Sequence, residues 1–338
     1  MVNGPPFGAY RARRVLVTGA TGFIGRWVAH ALTRAGARLY LTARDESATA
    51  ADRHCIDIVG EWLACDLSTS GNFAYLYRDV QPEVVFNLAG YGIDPTERDT
   101  NLAAVLNVEL VREIVEAVLS RPQSHSSDLQ LVHVGTAAEY GPVDGPVTES
   151  SPTVPVTVYG RTKLEGTNVL VEACQKHGLA AVSARLFTVY GPGEHATRLL
   201  PSLLAAAHTG EFLALTRGVQ RRDFTFVADV AEGLLRLGQR HSAPAIINLA
   251  TGRLTTVRKF VKTAAQLLHL RPEQLQFGAL PDRPDEIRQG PVDTRLQREV
   301  LEWVPACSVA EGIRRTISFS AAQGVTSADS AAPGGISP

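Results

Sequence analysis

Apolar residues fall in short runs separated by stretches of helical spacing. Arg14 to Val17 is an apolar run closed by Thr18-Gly19 and reads as a buried strand. A helical pattern follows from Phe23 to Ala35 and stops at Gly36, a good C-terminal cap. Further strands are predicted over Arg38–Thr42, Trp62–Cys65, Val84–Leu88, Leu129–Val134 and Ala180–Leu186. Long helices are predicted over Asn101–Leu119 and Val156–His177, the second closed by Gly178. Strands alternating with helices predict an α/β fold with a doubly wound parallel sheet covered on both faces. Beyond Gly191 the pattern is mixed: a helix, short strands near Phe212 and Phe224, a helix, a strand near Ile246, then helices. This predicts a smaller mixed C-terminal lobe. The expected organisation is a flexible N-terminus (1–13), a dinucleotide-binding domain (14–190), a substrate lobe (mainly 191–321, with some elements returning to the first core) and a disordered tail (322–338).

Composition narrows the function. The chain has 338 residues, 45% of them hydrophobic, enough for a large core. Net charge is −1 and no long basic run stands out, which argues against nucleic-acid and anionic-membrane partners. Cys55, Cys65, Cys174 and Cys307 are scattered, without metal-ligand spacing, so no metal site or disulfide framework is predicted. No apolar run reaches membrane-spanning length, and the first residues lack a signal-peptide core; a cytoplasmic protein is expected.

The candidate chemistry begins at Gly19-x-x-Gly22-x-x-Gly25, with Thr21, Phe23, Ile24 and Arg26 in and beside it. A glycine turn between a strand and a helix lets a diphosphate approach the backbone and the free N–H groups of the helix end. This is the Rossmann-type arrangement. The end of the second strand bears on which dinucleotide binds. An acid there would hold the ribose 2′-hydroxyl of NAD. This chain has Ala43-Arg44, and Arg44 favours the 2′-phosphate of NADP; the adjacent Asp45 keeps NAD open.

Tyr159 and Lys163 are spaced i, i+4 at the start of a predicted helix and share one face. An ammonium near the phenol, together with a positive nicotinamide ring, would lower the phenol pKa and let Tyr159 exchange a proton while hydride moves. Thr136, at the C-terminal end of the fifth strand, is placed to donate to the same substrate oxygen. Asn101 opens the helix after the fourth strand and reads either as a helix cap or as a supporting site residue.

These motifs together resemble the extended short-chain dehydrogenase/reductase family, in its nucleotide-sugar epimerase, dehydratase and reductase branch. The resemblance rests on Thr18 to Gly25, Cys65-Asp66-Leu67, Asn87 to Gly90, Asn101, Thr136 through Tyr140-Gly141, Tyr159 to Lys163, Arg185-Leu186-Phe187, Val189 to Gly193, Arg222 to Val230, Arg283-Pro284 and Asp293. It implies that Asp66 and Leu67 contact adenine and that Leu88 and Ala89 line the cofactor. It implies a catalytic set of Thr136, Tyr159 and Lys163 supported by Asn101. It places the substrate diphosphate on Arg222 and Arg283, with Thr188 where the family has a phosphate-binding Asn. It implies a homodimer acting on a nucleotide-diphosphate sugar.

Departures from the family pattern discriminate between activities. Ala137 and Ala138 stand where the dehydratases carry Asp-Glu, so 4,6-dehydration is not expected. Phe226 replaces a usual His. Glu139 before Tyr140-Gly141 is similar to reductases of 4-keto-6-deoxysugars, and Arg44 fits dissociable NADPH. The leading expectation is therefore a nucleotide-sugar 4-ketoreductase. A 4-epimerase with tightly held NAD and a non-catalytic dinucleotide sensor are the alternatives. The segments Tyr91–Arg98 and Glu194–Arg222 are expected to set the choice of sugar.

Overall fold

The computed structural model describes residues 7–44, 57–93, 96–120, 130–240, 242–282 and 288–322. Cys55, Arg283, Asp45 and the expected tail beyond residue 322 lie outside them. Seven parallel strands form the main sheet: β1 (Arg14–Thr18), β2 (Arg38–Ala43), β3 (Glu61–Ala64), β4 (Val84–Asn87), β5 (Gln130–Thr136), β6 (Ala181–Leu186) and β10 (Ile246–Leu249). Their order is β10-β6-β5-β4-β1-β2-β3. The chain reverses its direction of travel between β1 and β4. The glycine turn and Leu88 therefore lie side by side at the crevice where such sheets bind ligands.

Helix α1 (Phe23–Arg34) buries Val28, Ala29 and Leu32 on one face of the sheet, beside the helix Val227–Leu237. The other face is covered by α2 (Asn72–Val80), by the Thr100–Leu119 region and by the long helix Val158–His177, through Phe73, Ile114 and Leu170. Each such Val, Leu, Ile or Phe contributes roughly 1.5–3 kcal/mol of burial free energy. A third core belongs to the lobe, where Phe224 and Phe260 stack at 4.3 Å and Tyr190 meets Phe260 edge-on at 5.2 Å. The lobe adds a small sheet of β7 (Thr188–Tyr190), β9 (Arg221–Phe226) and β11 (Leu254–Thr256), and a β8 (Leu213–Leu215)–β12 (Leu275–Phe277) pair.

Three features differ from the sequence expectation. Residues 7–13 are not a flexible lead-in: Phe7 is buried, Gly8–Tyr10 forms a 3-10 turn, and the Tyr10 hydroxyl donates to the Leu235 carbonyl at 2.6 Å. An aromatic that buries its ring and satisfies its hydroxyl is held in place. The helix expected over Asn101–Leu119 starts at Thr100 and widens to a π turn over Val105–Glu109 before α-helical Leu110–Leu119. Helix α2 has no counterpart in the sequence reading, although Phe73, Leu76, Tyr77 and Val80 share its buried face.

Candidate active site

The glycine turn is as tight as its sequence suggests. Gly19 has φ +65°, and a Cβ there would stand 2.7 Å from the Ala89 nitrogen. A Cβ on Gly25 would stand 2.0 Å from the Gly19 carbonyl oxygen, so helix α1 closes against the turn only because neither residue has a side chain. Gly22 caps α1 without a side-chain hydrogen bond, and Thr21, Phe23, Ile24 and Arg26 flank that end. On the neighbouring strand the Leu88 and Ala89 amides donate to the Thr18 carbonyl and hydroxyl, which ties Leu88 and Ala89 to the floor of the turn. This cradle, open at a helix N-terminus, fits a dinucleotide diphosphate. Asp66, Leu67 and Arg44 follow the ends of β3 and β2, and Arg44 lies within electrostatic reach of the exposed Asp66.

Thr136, Tyr159 and Lys163 come together from two elements. Thr136 ends β5, while Tyr159 and Lys163 sit in the first turns of Val158–His177, which Thr157 caps by accepting from the Gly160 amide. Tyr159 and Thr136 face a cleft of about 680 Å³ between the sheet and the lobe, which Thr188, Glu194, Arg198 and Arg222 also line. That volume suits a small-molecule ligand.

The protein's own field does not lower the Tyr159 phenol. Burial pushes its pKa up to about 12, and the neighbouring Thr136 hydroxyl pulls it only part of the way back. The phenol is held as an acid. Lys163 is buried and its pKa falls to about 8 for the same reason, with Glu139 opposing the shift. It ends a buried polar chain. The Thr18 hydroxyl donates to Asn87 Oδ1 at 2.7 Å, Asn87 Nδ2 faces His133 Nδ1 at 3.0 Å, and His133 Nε2 lies 3.5 Å from Lys163 Nζ. Burial, then the Lys163 charge, hold His133 far below its ordinary pKa.

Comparison with known proteins agrees with this arrangement. The family model described as "NAD dependent epimerase/dehydratase family" matches residues 15–250. The chain belongs to that family. Its members among the relatives are enzymes acting on nucleotide sugars. A dTDP-6-deoxy-L-talose 4-dehydrogenase (NAD(P)(+)) of Kitasatospora kifunensis is 31% identical, over 89% of this chain and 93% of that protein. A UDP-glucose 4-epimerase of Azospirillum brasilense is 29% identical, over 95% of this chain and 96% of that protein. The solved structure of MoeE5 in complex with UDP-glucose and NAD superposes with a TM-score of 0.78 at 26% identity, covering 92% of this chain and 99% of that one.

Within this epimerase/dehydratase framework, the structure does not bring Asn101 to the cluster. Asn101 is exposed in the first turn of Thr100–Ala104, and Asp99, not Asn101, caps that helix by accepting from the Asn101 and Leu102 amides. The asparagine at the cluster is Asn107, fully buried in the π turn. Its Oδ1 accepts from the Tyr91 amide at 3.0 Å, and its Nδ2 donates to the Tyr91 carbonyl at 2.8 Å and to Thr162 Oγ1 at 2.9 Å. Asn107 Oδ1 and Lys163 Nζ both approach the face of Gly90. The sequence carries a signal for Asn107: it is a lone amide inside the apolar run Val105-Leu106-Asn107-Val108, where an unpaired polar side chain is costly.

Glu139 is also elsewhere than the reductase comparison requires. It is fully buried behind Thr136, where its Oε1 accepts from the Thr136 amide at 2.9 Å and from Thr167 Oγ1 at 3.2 Å. Its Oε2 takes the Arg185 Nε at 2.7 Å. Glu139 positions Thr136 and presents nothing to the cleft, so it does not separate reductase from epimerase. Ala137 and Ala138 do line the cleft. Arg222 reaches it half-buried, with Nη1 donating to the Arg221 carbonyl at 2.8 Å. Phe226 is in the lobe core, 2% exposed, and contributes no polar group.

Proposed function

We propose that this enzyme is a nucleotide-diphospho-sugar 4-ketoreductase acting on a 4-keto-6-deoxysugar, with NADPH as the favoured cofactor. The observation that carries the reading is Tyr159 beside Thr136 in a cleft whose next wall positions are Ala137 and Ala138. A bound nicotinamide dinucleotide supplies the hydride. Tyr159 gives its proton to the C4 oxygen, so that carbonyl plus hydride plus proton becomes alcohol. Thr136 donates a hydrogen bond to the same oxygen. Lys163 holds the nicotinamide ribose, and Asn107 fixes the Tyr91 backbone at the cleft's edge. Arg222, with Arg283, takes the substrate diphosphate by the planar fork of the guanidinium. Asp66 and Leu67 flank the adenine. Arg44 supplies the positive charge that a 2′-phosphate needs. The name of the 31% identical relative, a 4-dehydrogenase of a dTDP-6-deoxysugar, supports the same chemistry run in the opposite direction. A cytoplasmic homodimer is part of this proposal.

A 4-epimerase with tightly bound NAD is the second reading. It draws support from the 29% identical UDP-glucose 4-epimerase. One experiment separates the two. The purified protein is scanned for bound cofactor, then given NADPH and a dTDP-4-keto-6-deoxysugar. Stoichiometric loss of reduced-cofactor absorbance is expected. Co-purified NAD and interconversion of UDP-glucose without net cofactor consumption would establish the epimerase instead.

A further inference from the structure

One acid in the cleft has no part in the chemistry above. Glu194 follows the Gly191-Pro192-Gly193 turn that leaves β7, and its side chain is 8% exposed. Its Oε1 meets Arg198 Nε at 3.4 Å. Its Oε2 is completely buried and has no hydrogen-bond partner among the described residues. A buried carboxylate oxygen without a donor is costly, and Glu194 lines the binding cleft, so a ligand donor entering beside it would relieve that cost.

The position of Glu194 is fixed from several sides. The Trp27 indole, on the helix that follows the glycine turn, donates to the Pro192 carbonyl at 2.9 Å, and the Glu194 amide donates to the Gly191 carbonyl at 3.3 Å. The Glu194–Arg198 pair lies at the Tyr159 end of the cleft. Arg198 is near enough to Tyr159 to act on the phenol's charge, whereas Arg222 lies on the lobe strand β9.

We propose that Glu194 is the specificity-determining residue for the sugar: its Oε2 accepts a hydrogen bond from a pyranose hydroxyl, and its charge excludes a pyranose carrying a carboxylate. The inference rests on the nucleotide-sugar reading of the cleft. Burial raises the Glu194 carboxyl to about 7, so above that pH a hexuronate would set a second anion against a buried one. It could take Arg198 only by stripping Glu194 of its counter-ion, which leaves a buried charge unpaired. Selection thus works by repulsion as much as by attraction.

The test uses full-length protein saturated with NADP at about pH 8.5, where Glu194 is ionised, and calorimetric titration with UDP-glucose, dTDP-glucose and UDP-glucuronic acid. Wild-type protein is expected to bind UDP-glucose at least about tenfold more tightly than UDP-glucuronic acid, the scale of one 1.4 kcal/mol interaction. Glu194→Gln keeps an acceptor and removes the charge, so it should hold UDP-glucose within about threefold and gain about tenfold for UDP-glucuronic acid. Glu194→Leu keeps neither and should weaken both glucose nucleotides by about tenfold. A role confined to holding the turn would shift all three ligands together. Equal binding of UDP-glucose and UDP-glucuronic acid, unchanged in Glu194→Gln, would overturn the assignment of Glu194 and leave the nucleotide-sugar reading standing. Failure of all three sugars to bind wild-type protein would overturn both.

Discussion

Glu139 and Arg185 meet at 2.7 Å with side chains 0% and 2% exposed, directly behind the backbone of Thr136. The pair is extended by the Arg185 guanidinium lying 4.4 Å over the Tyr140 ring, and by the Tyr140 hydroxyl donating to Asn248 Oδ1 at 2.8 Å. An ion pair taken this far from water stabilises little by its presence and costs a great deal when half of it is removed. Replacing Glu139 by Gln strands the guanidinium and should destabilise the fold by about 3–5 kcal/mol. Chemical denaturation measures this; a loss below about 1 kcal/mol would place the pair in water rather than in the core.

Asn107 and Asn101 offer opposed outcomes on neighbouring helical turns. Asn107→Ala removes the side-chain partner of the Tyr91 amide and carbonyl and should cost about 1–3 kcal/mol, with a fall in kcat because Gly92, the next residue, lines the cleft. Asn101→Ala changes an exposed side chain and should stay within about 0.5 kcal/mol with unaltered kcat. Paired thermal melts and initial rates decide it, and a catalytic defect confined to Asn101→Ala would reverse the assignment.

Lys163 should set both a catalytic and a stability limb. Its pKa of about 8 in the folded protein lies below the ordinary 10.5, so protonation opposes folding. Stability therefore rises as pH climbs from about 8 towards 10.5, where the unfolded chain binds the extra proton and the folded one does not. Lys163→Met removes a buried charge worth roughly 3 kcal/mol at pH 7, should raise the melting temperature, and should abolish turnover. Denaturation of both proteins across pH 7–11 provides the check, with Lys163→Met expected to lose that rise. The same titration predicts that kcat/KM falls as pH passes about 8, with no limb from His133, which burial keeps neutral.

Arg44 is exposed near Asp66, past the end of β2, where the proposed cofactor's adenosine ribose would lie. Arg44→Ala should weaken NADPH by about tenfold and leave NADH nearly unchanged, since only the former offers a phosphate to the guanidinium. Cofactor titration followed by fluorescence reads the two affinities. Equal losses would assign Arg44 a general electrostatic role and remove the case for NADP.

The alternation of apolar runs and helical stretches determined the parallel sheet, because a strand buried on both faces can only be a continuous apolar segment. The spacing of Gly19, Gly22 and Gly25 determined the tight turn, since any Cβ at Gly19 or Gly25 collides with backbone. Tyr159 and Lys163 were legible for a similar local reason: four residues apart on a helix is one face. What lay beyond the sequence was non-local. Asn107 and Asn101 are the same residue type six positions apart, and only the π turn and the approach of Gly166 put one inside and leave the other in water. Glu139 reads as a cleft residue beside Thr136 until Arg185, 46 residues later in the chain, draws it into the core. Glu194 and Arg198 are a plain i, i+4 pair in sequence. Glu194 is buried at the cleft beside the place where Trp27, on a helix far away in the chain, donates to the carbonyl of Pro192. Periodicity and backbone sterics act between near neighbours and can be read from order alone; burial, which decides the charge and reach of each polar group, exists only once distant segments have packed.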